Sequence, residues 1–379
     1  MITQLRVDNY RGVQRLELGL NSMNLLTGGN GSGKTSVLMA IAAIRDLATG
    51  RYAVAEAFPS LSRTRWLSEP HQTFRLALEG DDPCNRGAPI TYLYELTIDH
   101  GHSGGKPTGR ARVLRESVRA EGDRPLFEFS EGTVRLYNDE FGTGPQFTFN
   151  WERSGLSSVQ LGRPDNTRLT HMVEMLRLIR VLHLSPEDVS DVSEQPEEQL
   201  AFSGGNFAAW YRWLSDGNQA LGAEIGRALE EVIPGFDYFG APEVGAGRKR
   251  LYVYRRHGAH QSQYDLSELS SGQLALTVLY TVLIDASKRG GVVCIDEPGA
   301  FLALEEIQPW LRALSDLCLE GKAQAILTSH HPELVNYLGP EFGIWLRRGD
   351  EGGTDHEPLA GLLEDTLDPA EALSRGWVS

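Results

Sequence analysis

A run of residues near the N-terminus has the composition that binds phosphate groups. It matches the pattern GxxxxGK[ST] and adds one further serine: Gly28, Gly29, Asn30, Gly31, Ser32, Gly33, Lys34, Thr35 and Ser36. Glycines let consecutive backbone N–H groups point at phosphate oxygens, and the N-terminus of a following helix favours an anion. Lys34 is predicted to contact the β- and γ-phosphates, and the Thr35 hydroxyl to bind Mg²⁺. The run therefore predicts a site for ATP and Mg²⁺.

Two adjacent carboxylates follow an apolar segment later in the chain. Asp296 and Glu297 come directly after Val292 to Ile295 and are followed by Pro298. Asp296 is predicted to hold Mg²⁺, directly or through water, and Glu297 to accept or orient the proton of an attacking water. Alone, such a pair is more often a turn or a helix cap. The phosphate loop upstream favours the catalytic interpretation.

The pentapeptide LSSGQ begins at Leu269 and precedes a strongly apolar helical pattern. By itself it is a good helix N-terminus and little more. It resembles the signature sequence of the ABC ATPases, LSGGQ, with a serine in place of the first glycine. The resemblance implies that its last four residues reach the γ-phosphate held by a second subunit, and hence a head-to-tail homodimer or a higher even oligomer. These residues are Ser270, Ser271, Gly272 and Gln273.

Two histidines follow the apolar stretch AQAILT, at a place where the same families have a switch histidine. The resemblance implies that His330 hydrogen-bonds the γ-phosphate, whereas His331 is expected to face solvent or to cap the next helix. A lone histidine beside a proline is structural in most proteins. The opening VDNYRGVQRLEL also resembles the family, which implies that Arg11 lies near the nucleotide. A surface arginine explains that residue equally well.

Together with SGGNFAAWYRWL, these motifs make the chain similar to the stand-alone RecF/OLD-like ABC ATPases, SMC/RecF-like heads without a coiled coil that occur in bacterial anti-phage systems. Three features depart from the family. Ala303 stands where a histidine is usual, a glutamine loop is left unassigned between candidates such as Gln146 and Gln160, and no acidic TOPRIM cluster follows the histidines. A nuclease partner is therefore expected to be a separate chain.

The periodicity around these motifs predicts an α/β fold, and the resemblance makes it an ABC-ATPase head. Its expected parts are a phosphate-loop core sheet of mixed or parallel strands, an antiparallel β layer over residues 74–151 and an inserted helical lobe. Three lobes are predicted, with boundaries 1–155, 156–264 and 265–379. Strands are expected at 2–7, 15–20, 24–27, 292–295 and 323–328, and helices from Lys34 onward, at 168–182, 206–214, 219–232, 272–288 and 303–317, and after Pro332.

Composition narrows the class of protein. The chain has 379 residues and a formal charge of −15, which argues against a surface coated with basic residues for indiscriminate nucleic-acid binding. Its three cysteines are widely spaced and form no CxxC pair, so they are read as reduced thiols. The N-terminal residues lack the apolar segment of a signal peptide, and no apolar run approaches the length that spans a bilayer. A cytoplasmic protein without a membrane partner is expected.

Two functions remain open. One is an ATPase that serves as a sensor or scaffold for a separately encoded effector, a nuclease or toxin, in anti-phage defence. The other is a RecF-like, DNA-binding ATPase of repair or clamp loading, with phosphate contacts from basic side chains on strands. The candidates for those contacts are Arg110, Arg112, Arg115, Arg119, Lys249 and Arg250. A transporter ATPase subunit would share the motifs, but the large insertion and the opening segment speak against it.

Overall fold

The computed structural model describes residues 1–103, 106–107, 111–349 and 353–362, together with residues 369 and 371. These residues divide into two compact units. The first unit holds residues 1–179 and the described residues from 339 to 362, and the second unit holds residues 180–338. The three lobes predicted from the sequence are a different division of the chain, and they stay a prediction.

The helices and strands are numbered in chain order. The helices are α1 Lys34–Ala48, α2 Val54–Ala57, α3 Thr167–Arg177, α4 Phe207–Gly217, α5 Gln219–Val232, α6 Ser271–Arg289, α7 Leu304–Leu319 and α8 Pro332–Phe342. The strands are β1 Ile2–Tyr10, β2 Val13–Gly19, β3 Met23–Gly28, β4 His71–Asp81, β5 Pro89–Asp99, β6 His102–Ser103, β7 Lys106–Pro107, β8 Arg112–Ala120, β9 Arg124–Ser130, β10 Thr133–Tyr137, β11 Thr143–Thr148, β12 Ile179–Leu182, β13 Val192–Ser193, β14 Phe236–Gly240, β15 Glu243–Gly245, β16 Arg248–Arg250, β17 Tyr252–His257, β18 His260–Asp265, β19 Val292–Asp296, β20 Gln324–Thr328, β21 Gly343–Arg348 and β22 Thr354–Pro358.

An antiparallel sheet dominates the first unit. Its strand order is β11-β10-β9-β8-β5-β4-β1-β2. Along β5, buried and exposed side chains alternate, because one face of the sheet packs on the core while the other faces solvent. The predicted antiparallel layer is therefore confirmed, and the two N-terminal strands belong to the same sheet.

The phosphate-binding run lies between β3 and α1 in the first unit. Strand β3 is buried over its whole length and pairs in parallel with β21, which in turn pairs antiparallel with β22. Helix α1 begins at Lys34, as predicted. Most of its residues are buried, because the helix carries apolar side chains on almost every side. Strand β3 and helix α1 therefore hold the two ends of the loop in fixed positions.

The carboxylates and histidines lie in the second unit. Strand β19 pairs in parallel with β20, and β12 lies on the other side of β19. All residues of β19 and β20 are buried, as expected for parallel strands covered on both faces. Helices α5 and α7 both contact α6, whose C-terminal end leads through two glycines into β19. The predicted alternation of helices and strands in this part of the chain is confirmed.

One predicted helix is partly wrong. Residues 168–182 were expected to be helical, but α3 ends at Arg177 and Ile179–Leu182 form the buried strand β12. The short apolar run IRVL pairs beside β19, and this long-range pairing overrides the helical periodicity before it. The inserted region also contains two small antiparallel sheets, β13-β16-β15 and β14-β17-β18, in addition to α3, α4 and α5.

Across the described ranges, every helix is too short or too polar to cross a bilayer.

Candidate functional site

Gly28 ends β3 at a position that only glycine can occupy. Its φ is +145°, and a Cβ atom placed there would lie 2.0 Å from the carbonyl oxygen of Leu346 on the neighbouring strand β21. Such a contact would displace the backbone of β21. The start of the loop is therefore fixed by the close approach of two parallel strands.

Gly33 closes the loop and is the N-cap residue of α1. Its φ is +107°, and no side chain in the described part of the chain caps the helix there. The first turn of α1 carries no acidic residue, so no carboxylate of the helix itself offsets the positive end of its dipole. Thr35 is exposed and Ser36 half-buried in this turn. An uncapped helix N-terminus of this kind favours a bound anion.

Lys34 folds back over the loop. Its Nζ donates hydrogen bonds to the carbonyl oxygens of Gly28, at 2.8 Å, and Gly29, at 3.1 Å. The Ser32 hydroxyl is buried in the loop and has no hydrogen-bond partner among the described residues. Asn30 and Gly31 are exposed at the loop's tip. The loop thus offers the Lys34 ammonium group, the Ser32 hydroxyl and the N-terminus of α1, which are donors suited to a di- or triphosphate.

Arg11 lies in the turn between β1 and β2, in the same unit as the loop. It is exposed, its φ is +53°, and its guanidinium carbon lies 5.7 Å from the centroid of the Tyr10 ring. Its backbone N–H donates to the carbonyl oxygen of Ser62. These contacts do not involve the phosphate loop, so the role of Arg11 at the nucleotide stays a prediction.

Asp296 is the last residue of β19 and is buried. Its Oδ1 accepts a hydrogen bond from the hydroxyl of Thr328, the residue opposite it on β20. Its Oδ2 lies 2.8 Å from Nδ1 of His183, but the geometry is not that of a hydrogen bond. The His183 ring in turn stacks on Phe202, with ring centroids 5.8 Å apart. One carboxylate oxygen is therefore held, and the other is oriented toward an imidazole.

Glu297 has an unusual backbone for a residue with a side chain, since its φ is +50°. Its N–H donates to the carbonyl and hydroxyl oxygens of Thr328, which hold it in this left-handed conformation. Its carboxylate accepts a hydrogen bond from the Ser329 hydroxyl at 3.0 Å and lies 2.7 Å from Nδ1 of His330. The second unit thus brings Asp296, Glu297 and His330 together at the ends of β19 and β20.

The neighbouring His331 has a different role. Its Nδ1 accepts a hydrogen bond from the N–H of Glu333 in the first turn of α8. The interpretation of His331 as a helix cap is confirmed. His183, Thr328 and Ser329 were not singled out from the sequence, because only the pairing of β12, β19 and β20 brings them to the carboxylates.

The signature residues form the N-terminus of α6. Ser270 is the N-cap, and its hydroxyl accepts a hydrogen bond from the N–H of Gln273 at 3.2 Å. Ser270 and Ser271 are exposed, while Gly272 and Gln273 are half-buried. A Cβ on Gly272 would lie 3.1 Å from the carbonyl oxygen of Phe301, so a side chain there has little room. The start of α6 is therefore exposed at Ser270 and Ser271.

Most of the basic residues considered for DNA are neutralised. Arg112 pairs with Asp99, Arg119 with Asp123 and Glu128, Lys249 with Asp216, and Arg250 with Asp191 and Asp265. Arg115 makes no ion pair with a described carboxylate, and Arg110 lies outside the described residues. Gln146 and Gln160 are both exposed in the first unit, and no contact assigns either one to a nucleotide.

Two of three comparisons with known proteins found similarities. The family model described as "AAA domain, putative AbiEii toxin, Type IV TA system" matches residues 178–336, which is less than half of the chain. Among solved structures, an SMC head bound to the C-terminal winged-helix domain of ScpA is 13% identical, with 96% of this chain and 99% of that chain covered and a TM-score of 0.53. The search of curated proteins found no match.

Two further solved structures are similar at 13% identity. The match to the SMC head domain from Thermotoga maritima covers 94% of this chain and 98% of that domain, with a TM-score of 0.43. An Smc head with an extended coiled coil, derived from Pyrococcus furiosus and bound to the C-terminal domain of ScpA, covers 99% and 98%, with a TM-score of 0.45. With the match at 0.53 and the family model, the predicted fold class is confirmed: the chain has the α/β fold of an SMC-type ATPase head.

Proposed function

We propose that this chain binds Mg-ATP and hydrolyses it: the phosphate loop binds the phosphates, and the carboxylates after β19 supply the groups for hydrolysis. The observation that carries the proposal is the loop itself. Gly28 and Gly33 take backbone conformations that favour glycine, α1 starts uncapped, and Lys34 is held over the loop. This arrangement has few uses other than binding phosphate groups.

The residues of the loop have separate roles in this proposal. Lys34 exchanges its two carbonyl acceptors for oxygens of the β- and γ-phosphates, and the N–H groups at the start of α1 bind the remaining phosphate oxygens. The Thr35 hydroxyl and the Asp296 carboxylate are the groups that would serve as Mg²⁺ ligands, since Mg²⁺ takes oxygen ligands in octahedral geometry and usually keeps several of its waters. When bound, Mg²⁺ neutralises charge on the phosphate oxygens.

Glu297 is the proposed general base. It accepts or orients the proton of the attacking water, and the hydrogen bond from the Ser329 hydroxyl and the contact with His330 fix the direction of its carboxylate. His330 is 75% exposed and is therefore free to contact a phosphate oxygen as well as Glu297. The left-handed backbone at Glu297 is held by hydrogen bonds from its N–H to Thr328, which fixes the start of its side chain at the end of β19.

The chain is proposed to dimerise head to tail. The exposed N-terminus of α6 would bind the γ-phosphate held by a second copy, so that ATP stabilises the dimer by mass action. Light scattering on Glu297→Gln tests this step. With Mg-ATP the variant should double its mass, and Ser271→Arg added to it should keep the monomer's mass while leaving nucleotide binding intact. A variant that stays monomeric with saturating ATP would contradict the dimer.

For its cellular role we propose a sensor or scaffold for a separately encoded effector, a nuclease or toxin, in anti-phage defence. The description of the matching family model names a putative toxin of a type IV toxin–antitoxin system, and the SMC head matched at a TM-score of 0.53 is bound to a domain of the protein ScpA. Tagged Glu297→Gln, expressed with its native neighbouring genes and purified in Mg-ATP, should retain a stoichiometric protein partner. Recovery of DNA without a protein partner would contradict the scaffold role.

One observation favours the alternative, a RecF-like DNA-binding ATPase. A cavity of about 550 Å³ on the first unit is lined by Arg6, Arg15 and Arg115, and neither Arg15 nor Arg115 pairs with a described carboxylate. Both side chains lie on one row across the antiparallel sheet. If this surface binds DNA, duplex DNA should stimulate the ATPase activity, and this stimulation should fall steeply as salt is added. The double variant Arg15→Glu, Arg115→Glu should abolish the stimulation.

A further inference from the structure

An exposed tryptophan in the first unit stacks with an arginine. Trp66 keeps 47% of its surface exposed, which is unusual for the largest apolar side chain. The guanidinium carbon of Arg348 lies 4.9 Å from the centroid of its ring. Arg348 makes no ion pair with a described carboxylate, so this cation–π contact is what positions it. The pair presents a flat, cationic, aromatic surface.

A tight turn fixes the position of Trp66. The N–H of Leu67 donates to the carbonyl oxygen of Thr64 at 3.1 Å, so Arg65 and Trp66 are the central residues of the turn. Thr64 is fully buried. Its hydroxyl donates to the carbonyl oxygen of Val13 at 3.0 Å, and its N–H donates to Asn9 Oδ1 at 3.1 Å. The indole is therefore held on a rigid support.

Both members of the pair are anchored beside the phosphate loop. A Cβ placed on Gly33 would lie 3.2 Å from Cγ2 of Val13, the residue that binds Thr64, and 3.4 Å from Oγ1 of Thr354. Thr354 is the partner of Arg348 across β21 and β22. On β21, Leu346 lies opposite Gly28 in parallel register, so Arg348 continues past the point where β3 enters the loop. Trp66 and Arg348 are thus tied to the loop's first and last glycines.

We infer that Trp66 and Arg348 stack against the base of the nucleotide whose phosphates the loop binds; this inference rests on the proposed nucleotide binding. An exposed indole next to a phosphate site can bury its ring against a purine, and stacking of this kind uses the π-face that every base has. The pair offers a planar surface and a delocalised cation. The site therefore gains affinity from the base while discriminating little between adenine and guanine.

Binding measurements that separate base from phosphate test this inference. Calorimetry on the full chain would compare ADP, GDP and inorganic pyrophosphate with Mg²⁺ present, since none of them is turned over. Trp66→Ala should lower the affinity for ADP and for GDP by about tenfold or more, which is the scale of base stacking on an aromatic ring. Its affinity for pyrophosphate should stay within about twofold of the wild-type value. Trp66→Phe should restore most of the loss. The matched control is Tyr52→Ala, which removes another exposed aromatic residue next to an arginine and should change nothing.

The outcomes are distinct. An unchanged ADP affinity in Trp66→Ala would overturn the inference that Trp66 stacks on the base. An equal loss of affinity for ADP and for pyrophosphate would also overturn it, because Trp66 would then only support the loop. Binding of pyrophosphate and ADP with equal affinity by the wild-type chain would likewise overturn it, because the base would then contribute nothing. If the wild-type chain binds neither compound, the proposed nucleotide binding fails, and the inference fails with it.

Discussion

His330 Nδ1 lies 2.7 Å from Oε1 of Glu297, although 33 positions separate the two residues in the chain. The parallel pairing of β19 and β20 produces this contact, because Asp296 and Thr328 are paired at the ends of these strands, and Glu297 lies one residue and His330 two residues beyond them. A carboxylate and an imidazole in contact at the carboxyl ends of two buried parallel strands lie where ligands bind in α/β folds. The pair therefore lies where the proposed general base, Glu297, is expected to act.

Replacing the proposed base should abolish turnover and preserve binding. Glu297→Gln keeps the shape of the side chain but cannot accept the proton of a water, so kcat for ATP should fall by about 10²- to 10⁴-fold while the affinity for ATP changes by only a few-fold. Phosphate release and calorimetry measure the two quantities. Glu320→Gln, at an exposed ion pair, is the control. Wild-type turnover in Glu297→Gln would show that the base is another residue.

His183 should influence metal affinity through Asp296. Its Nδ1 lies 2.8 Å from the carboxylate oxygen that Thr328 does not hold, so His183→Asn should leave that oxygen less well oriented. The apparent affinity for Mn²⁺ in the presence of ADP should fall by about tenfold, as for other residues that support metal ligands. Electron paramagnetic resonance of Mn²⁺ measures it, with the exposed His260→Asn as the matched control. An unchanged affinity would rule out this role.

A buried charge cluster should matter for the stability of the second unit. Asp285 is fully buried and accepts hydrogen bonds from Arg180 and Arg289, and Arg180 is itself only 5% exposed. Burial lowers the pKa of Arg180, and Asp285 opposes this shift. Asp285→Ala would leave the Arg180 guanidinium buried without its carboxylate, at a cost of roughly 3–5 kcal/mol.

Urea unfolding followed by circular dichroism checks this cost. The transition of Asp285→Ala should move to a clearly lower urea concentration. Lys322→Ala breaks an exposed ion pair with Glu320 and should cost under about 1 kcal/mol. Equal midpoints for the two variants would mean that the cluster does not stabilise the fold.

The pair of Asp82 and Arg168 should make the first unit sensitive to acid. Two hydrogen bonds from Arg168, at 2.6 and 3.0 Å, are the main cause of a lowered pKa of Asp82. Because the folded-state pKa lies below the unfolded value, the stability from this pair is present above about pH 4 and is lost as the pH falls through the lowered pKa.

Asp82→Asn should therefore destabilise the chain at pH 7 and differ less from the wild type near pH 3. Urea titrations at the two pH values measure the difference. Asp165→Asn, at an exposed pair with Arg163, should show little effect at either pH. A wild-type advantage of the same size at pH 3 would contradict the assignment.

Local patterns in the sequence predicted the parts of the site that depend on neighbouring residues. Gly28 to Ser36, the start of α1 at Lys34, the strand before Asp296 and the helix after Ser270 all follow from motifs or periodicity within a short window. These features need no knowledge of the tertiary fold, since caps, turns and buried strands leave their own residue patterns.

Features that depend on long-range pairing were missed. The run before His183 continued a helical pattern, yet it becomes β12 because it pairs beside β19. Thr328 and Ser329 contact the carboxylates only through the register of β20. Trp66 lies in a turn whose position depends on Val13 and Asn9, more than fifty residues earlier. No single sequence window contains such pairings.

Calorimetric titration of Mg-ATP into the wild-type chain and into Lys34→Ala tests the central claim most directly, because the Lys34 ammonium group lies within the loop and donates hydrogen bonds to two of its carbonyl oxygens. The wild type should bind ATP with a micromolar or lower Kd, which corresponds to a binding free energy of about −8 kcal/mol or better. The Kd of Lys34→Ala should be at least about tenfold higher. Lys322→Ala should bind like the wild type. Equal affinity of Lys34→Ala and the wild type, or no binding by either, would contradict the assignment of the loop as the phosphate site.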